Sequence, residues 1–464
     1  MIEARRRALE LRLWSQGRAA KLHQAQVWQY LDPEAARALQ RERLVALLEH
    51  ADRHVPYYRD LLRRFGVAEK GRLHLERFVD LPLLDKPTIR RSFETLKSDD
   101  LRRRRWYYNY SGGSSGEPIR LIQDQGYADW AGAMKLLFDE WTGRQVGDRQ
   151  VRLWGSERDL LVGHETPRVR AARWLRNELW LNAFRMTPAR MRDYVQRINR
   201  FQPRQILAYP TSMYELSRFV EREGIDVHSP QAVMTSGTAL EPEMRSTIER
   251  VWATRVFDRY GSREVGDIAC ECREHKGLHV SLPCHYVEVL RVDGSPVGPG
   301  EPGELVVTSL TNYAMPLVRY RIGDMAEVAG ERCGRGVGWP LIKSITGRIS
   351  SIFVTMDGAL IPGGYFGFPL WDRPWIQRFQ VVQESRQQIV VRVVGDPTCS
   401  QAPSAAEFDD IVKKYRAAVG ASCQVTFDFV DEIETSPTGK HQPWISHVAE
   451  RHWGELSVRQ RSTT

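Results

Sequence analysis

Ser111, Gly113, Ser114, Ser115 and Gly116 crowd hydroxyls and side-chain-free backbone into one turn, closed by Glu117-Pro118 and followed by the strand-like run Ile119-Arg120-Leu121-Ile122. Glycines let backbone N–H groups approach an anion closely, and serine hydroxyls add donors without bulk, so such a turn can wrap phosphate. The same composition also suits a flexible surface loop. A second concentration of chemistry lies at Cys270, Cys272, His275 and His279, with Cys333 further on. Thiols and imidazoles at this spacing can hold a metal or can sit as reduced side chains in a packed loop. Cys284-His285 reads as strand and core.

These residues need elements to position them. Ile2 to Arg64 is helical in pattern, interrupted at His54-Val55-Pro56-Tyr57-Tyr58, and Leu81 to Lys86 is a loop feeding a short helix. After the Ser/Gly turn, strands at Arg152 to Trp154, Ile206 to Tyr209 and Ala232 to Met234 alternate with helices at Met191 to Arg200 and Met213 to Glu221. That alternation predicts an α/β sheet with crossover helices. Tyr286 to Thr308 is β-rich. Beyond Arg348, strands at Phe379 to Gln383, Gln388 to Val393 and Gln424 to Phe427 with a helix at Ala405 to Val419 predict a compact α+β unit, and the tail after Val458 is expected to fray.

A chain of 464 residues, 42% hydrophobic and 27% charged, holds at least two domains and excludes disorder as the main state. No apolar run reaches the roughly 20 residues that cross a bilayer, and six cysteines in a chain this long are not a disulfide scaffold; the expectation is a cytoplasmic protein. A net charge of +9 favours anionic small molecules as much as any polymer. Arg102 to Arg105, followed by Trp106, Tyr107 and Tyr108, is read as a solvated helix end or loop, lacking the repeated basic and aromatic pattern of a single-strand groove.

Three strings imitate known motifs. Gly298 to Gly303 satisfies G-x-G-x-x-G but precedes a strand and holds two prolines, which makes it a turn. Gly112 to Gly116 satisfies G-x-S-x-G, yet a strand follows where a nucleophile elbow needs a helix. Thr438-Gly439-Lys440 has Glu434 where a Walker loop needs glycine.

In one order stand Ser111 to Pro118, Tyr260-Gly261-Ser262-Arg263-Glu264, Tyr320 to Asp324, Gly347-Arg348 and Ser436 to Lys440. This order resembles the adenylate-forming superfamily, and His54 to Tyr58, Leu81 to Lys86, Glu271-Cys272, Gly277-Leu278-His279 and Cys333-Gly334-Arg335 resemble its branch of phenylacetate–CoA ligases, CapK-like and coenzyme F390 synthetase-like proteins. The resemblance spans residues from about 50 to 445. It implies an α/β fold: a large N-terminal α/β adenylation domain with a β-rich subdomain, residues 1–347, and a small mobile C-terminal α+β lid, residues 348–464. It implies an AMP-forming acid–thiol ligase using ATP and Mg²⁺, which joins a carboxylic acid to the α-phosphate, releases pyrophosphate and passes the acyl group to coenzyme A, a carrier-protein thiol or an amine.

Within that resemblance, Ser111, Gly113, Ser114, Ser115 and Gly116 surround the β- and γ-phosphates, and Glu264 is a catalytic residue as the Mg²⁺ ligand. Ser236, Gly237, Thr238, Tyr260, Gly261 and Ser262 wall the adenine and acyl sites. Asp324 holds the ribose with help from Arg348, and Lys440 bridges the carboxylate and the α-phosphate. Cys272, His279 and Cys333 are structural Zn²⁺ ligands, with Cys270, His275 or Glu331 as the fourth. Ser350, Ser351 and Glu117 depart from the family pattern. Trp154, Tyr209, Tyr214 and Phe257 are candidates for lining an acyl pocket that takes an aromatic or medium-sized acid. A small-molecule carboxylic acid and CoA or another acyl acceptor are the expected partners; nucleic acid and membrane are not, and a homodimer is left open. The competing readings are a catalytically reduced nucleotide-binding homologue and a nucleic-acid binder.

Overall fold

The computed structural model describes residues 9, 17–111, 118–155, 167–183, 186–330, 333–334, 336–371, 373–397, 399, 402–434 and 442–449. The chain divides into two compact units. The first holds residues 1–288, 306–322 and 327–344, the second residues 289–305, 323–326 and 345–464.

In the first unit the N-terminal helices are α1 (Arg18–Trp28), α2 (Pro33–His54) and α3 (Pro56–Arg64). Asp32 caps α2 by accepting from the N–H groups of Glu34 and Ala35, each at 2.9 Å, with Pro33 in the first turn where no donor is needed. Val55-Pro56 ends α2 because a proline disfavours helical geometry in the residue before it. Strands β1 (Trp106–Tyr110) and β2 (Arg120–Asp124) form an antiparallel hairpin, followed directly by α4 (Gln125–Trp141).

Behind the hairpin lies a largely parallel sheet. Seven of its eleven strands are β3 (Gln150–Trp154), β4 (Glu178–Asn182), β5 (Gln205–Ala208), β6 (Ala232–Ser236), β7 (Arg255–Ser262), β8 (Gly266–Glu271) and β9 (Leu278–Val280). Spatial order is β9-β8-β7-β6-β5-β3-β4, parallel from β4 to β7 and antiparallel across β7, β8 and β9. Helices α5 (Pro188–Phe201), α6 (Pro210–Glu223) and α7 (Pro242–Trp252) bury Met191, Ile198, Leu216 and Trp252 against Val151, Ile206, Val233 and Val256. The opposite face packs Leu207, Met234 and Cys270 with Trp130, Met134 and Leu137 of α4. Both faces are covered, which is why these strands read as apolar runs and not as alternating patterns.

The second unit contains a four-stranded sheet ordered Gln424–Phe429, Gln388–Gly395, Ile376–Ser385, Trp444–Ser446. Helix α8 (Ala405–Val419) packs Ile411, Tyr415 and Val419 into the core with Val381, Ile389 and Val391. A reciprocal cap between Ser404 and Glu407 starts it, and Gly420 ends it.

Candidate active site

The base of the Ser/Gly turn is closed by Ser111. Its N–H donates to the Ile119 carbonyl at 3.0 Å, and its Oγ accepts from the Ile119 N–H at 2.9 Å. Gly113, Ser114, Ser115 and Gly116 lie outside the described residues. The two strands that carry the turn are stitched to the segment after β7. Asn109 Nδ2 donates to the Arg263 carbonyl at 3.0 Å, across 154 residues of sequence. Gln123 Nε2 donates to the carbonyls of Arg263 and Glu264, both at 3.1 Å. Asn109 Nδ2 also donates to Gln123 Oε1 at 2.9 Å, so the two amides hold one another. Below them Asp124 caps α4 through the Tyr127 N–H and accepts from Arg104 at 3.3 Å.

Glu264 is buried apart from its tip, with 8% of the residue exposed, and among the described residues its carboxylate takes no hydrogen bond or ion pair. Such a carboxylate, fixed through its own backbone and open on its oxygens, suits a hard divalent cation. Gly261 has no room for a side chain: a Cβ there would lie 2.5 Å from the Gly266 carbonyl oxygen. Ser262 Oγ accepts from the Val265 N–H at 3.4 Å, which tightens the turn that presents Glu264.

Register places the two predicted walls side by side, since Ser236 at the end of β6 is the Cα partner of Arg259 in β7, next to Tyr260. Gly237 has φ of 96°, and the Thr238 hydroxyl is buried with no partner among the described residues. On the α7 side of the same strands, Thr235 donates to Asp258 Oδ1 at 3.2 Å. Burial pushes the Asp258 carboxyl up to about 7. Glu271 accepts from the Asp258 N–H at 2.9 Å and from Arg245 Nη2 at 2.7 Å, with His275 Nδ1 at 3.2 Å. Burial opposes ionisation of Glu271, but His275, Arg245 and that N–H together hold it below the usual carboxylate range. In the second unit Arg348 Nε lies 3.5 Å from Asp324 Oδ1, so these two predicted ribose residues meet. Lys440 lies outside the described residues.

Residues 181–314 match the AMP-binding enzyme family, and residues 353–447 match the CapK C-terminal domain. Protein CapK of Staphylococcus aureus is 22% identical over 424 residues, covering 88% of this chain and 89% of that protein. The phenylacetate-coenzyme A ligase of Pseudomonas putida is 29% identical over 343 residues, covering 71% and 74%. Over these stretches the chain is similar to the adenylate-forming enzymes of the CapK and phenylacetate–CoA ligase branch. A solved 2-hydroxyisobutyryl-CoA ligase in its postadenylation state, bound to an acyl-AMP, shares the fold with a TM-score of 0.69 at 17% identity, over 93% of this chain and 94% of that one. O-succinylbenzoate coenzyme A synthetase of Bacillus subtilis, in complex with ATP and magnesium ion, has a TM-score of 0.51 at 17% identity, over 72% and 68%.

Three of the predicted zinc ligands come together in the same chain. The ligand atoms of Cys272, His279 and Cys333 lie within 4.8 Å of one another, with the two sulfurs 3.6 Å apart. His279 donates from Nδ1 to the Trp339 carbonyl at 3.2 Å, which leaves its buried Nε2 as the lone-pair nitrogen, without a partner among the described residues. An imidazole oriented by a carbonyl, beside two thiols, is the donor set of a structural zinc site. Burial raises the Cys272 thiol to about 11 and lowers His279, the first working against and the second for metal binding. Of the proposed fourth ligands, the Cys270 thiol stands apart from the group and donates to the Glu271 carbonyl at 3.5 Å, His275 is paired with Glu271, and Glu331 lies outside the described residues.

The residues that sequence reasoning missed are Asn109 and Gln123. Both act through backbone carbonyls of a distant turn, and no local pattern marks them. Of the aromatic candidates for the acyl pocket, Trp154 and Tyr209 stack with centroids 4.0 Å apart, while Phe257 packs on the His275 ring.

Proposed function

We propose that this protein is an ATP-dependent, AMP-forming acid–thiol ligase that activates a carboxylic acid as its acyl-adenylate and transfers the acyl group to coenzyme A. The observation that carries this reading is the pair of amides, Asn109 and Gln123, that binds the flanks of the Ser/Gly turn to the backbone of Arg263 and Glu264. Two motifs far apart in sequence thereby share one corner. In that corner the Ser/Gly turn supplies donors for the terminal phosphates and Glu264 supplies a carboxylate for Mg²⁺, which when bound screens the triphosphate against the incoming carboxylate.

The walls at Ser236 to Thr238 and Tyr260 to Ser262 hold the adenosine and the acyl group, with Asp324 and Arg348 on the ribose. Residues 348–464 act as the lid whose Lys440 places its ammonium between carboxylate and α-phosphate, where negative charge builds during attack. Cys272, His279 and Cys333 hold a structural zinc that fixes the loop after β8.

The test is acid-dependent pyrophosphate exchange over a panel of carboxylic acids, with mass spectrometry of the product formed when CoA is present. Lys440→Ala should lower exchange by about 10² to 10³-fold, the scale of removing one positioned charge from a transition state. Unchanged exchange in that variant would refute its role. Elemental analysis should find one zinc per chain, lost in Cys272→Ser; a zinc-free wild type would overturn the metal assignment.

A further inference from the structure

One row of side chains crosses the α4 face of the sheet near the carboxyl ends of its parallel strands. Successive Cα pairings put Trp154 beside the position after β5, occupied by Tyr209, then Ser236, then Arg259. The Trp154–Tyr209 ring stack confirms that this row lies on one face. Ligands of open α/β sheets bind outside the carboxyl ends of the strands, and Arg259 stands between two residues of the proposed acyl and adenine walls, Ser236 across the ladder and Tyr260 along the chain.

Arg259 is the anomaly of this row. It is only 9% exposed, and its buried Nε has no hydrogen-bond partner among the described residues. The nearest acid is Asp267, whose Oδ1 lies 3.6 Å from Arg259 Nε, beyond hydrogen-bonding distance. Asp267 Oδ2 is likewise buried and without a partner among the described residues. A buried donor nitrogen and a buried acceptor oxygen thus lie beside one another without a hydrogen bond, although polar groups in protein interiors are satisfied in the great majority of cases.

We propose that Arg259 and Asp267 form a receptor for a hydroxyl group on the acyl part of the substrate, so that the enzyme activates a hydroxylated carboxylic acid. The proposal rests on the adenylation reading above. A hydroxyl accepts one hydrogen bond from the guanidinium and donates one to the carboxylate, completing both residues at once. A second carboxylate on the substrate would meet the charge of Asp267. A purely apolar acyl group would displace water and leave both atoms stranded. Sites built around a substrate hydroxyl reject the analogue that lacks it far more strongly than apolar pockets reject a missing methylene. The flat Trp154–Tyr209 pair in the same row offers a stacking surface for an aromatic ring.

The experiment is pyrophosphate release by the full chain with matched acids: 4-hydroxyphenylacetate against phenylacetate, 4-hydroxybenzoate against benzoate, and 3-hydroxybutyrate against butyrate. At least one pair should show kcat/KM about 100-fold or more in favour of the hydroxylated member. That ratio should fall below about 5 in Arg259→Leu and in the isosteric Asp267→Asn, which keeps the proposal testable if the arginine variant does not fold. A wild-type ratio near 1 for every pair, or a ratio that survives both substitutions, overturns the hydroxyl receptor while leaving adenylation intact. No release with any acid overturns the adenylation reading, and the receptor with it.

Discussion

Asp258 and Arg259 are neighbours in β7 and face opposite ways, and the two sides of the strand are built on different terms. On the Asp258 side Thr235, Asp258, Glu271, Arg245 and His275 form one connected hydrogen-bonded set, and Arg245 also donates to the Val256 carbonyl at 2.7 Å. On the Arg259 side a guanidinium and a carboxylate sit 3.6 Å apart with unmatched atoms. A saturated buried network fixes a backbone in one position. An unsaturated pair costs stability and is kept where something else completes it. The strand that presents Tyr260 to Glu264 is therefore clamped from one side and available from the other.

The sharpest way to break this contrast is Glu271→Ala. Removing the carboxylate strands Arg245 and His275 and frees the Asp258 N–H, so the expected loss is about 3–5 kcal/mol in urea unfolding. Replacing Arg259 and Asp267 together by leucine, by comparison, should cost less than about 1 kcal/mol or stabilise the protein, because both members of a poorly paired buried ion pair are exchanged for apolar side chains. Equal losses in the two variants would erase the distinction.

Next in size is a pH effect at Asp258. Its carboxyl titrates at about 7 in the folded chain against an ordinary 3.8, so the folded state holds a proton that the unfolded state releases. Stability therefore falls as pH rises from about 4 to about 7, by roughly 2–4 kcal/mol from this group. Asp258→Asn should flatten that fall, measured as the difference in urea midpoint between pH 5 and pH 8. A variant that keeps the wild-type slope would show that Asp258 is ionised throughout. The smallest effect is expected of Gln123→Met, which removes two bonds to the Arg263 and Glu264 carbonyls: about 1–2 kcal/mol of stability, with a rise in KM for ATP and little change in KM for the acid. A change confined to the acid would disconnect the hairpin from the nucleotide corner.

How much of this was legible in the sequence varies with the origin of each feature. Helix α8 runs over the residues predicted for it, Ala405 to Val419, because Ser404, Glu407 and Gly420 write its ends locally. The parallel strands were legible as short apolar runs, since both of their faces are covered. Strand β1 was not, because four exposed aromatics, Trp106, Tyr107, Tyr108 and Tyr110, show no alternation that signals a buried side. The Cys272, His279 and Cys333 group followed from the family resemblance, and the structure joins those three while leaving Cys270 on the carbonyl of Glu271. Arg259 carried no signal at all. Its meaning comes from strand register and from what fails to reach it, neither of which a single chain of letters records.

The claim on which the rest depends is that the hairpin and Glu264 form one nucleotide corner in which a carboxylic acid is activated. ATP–pyrophosphate exchange with purified wild type and Glu264→Gln, across the acid panel, tests it most directly. The account predicts exchange that requires an acid and magnesium and that falls by about 10²-fold or more in the variant. Exchange that is equal in the two proteins, or ATP binding with no acid-dependent exchange at all, would contradict it.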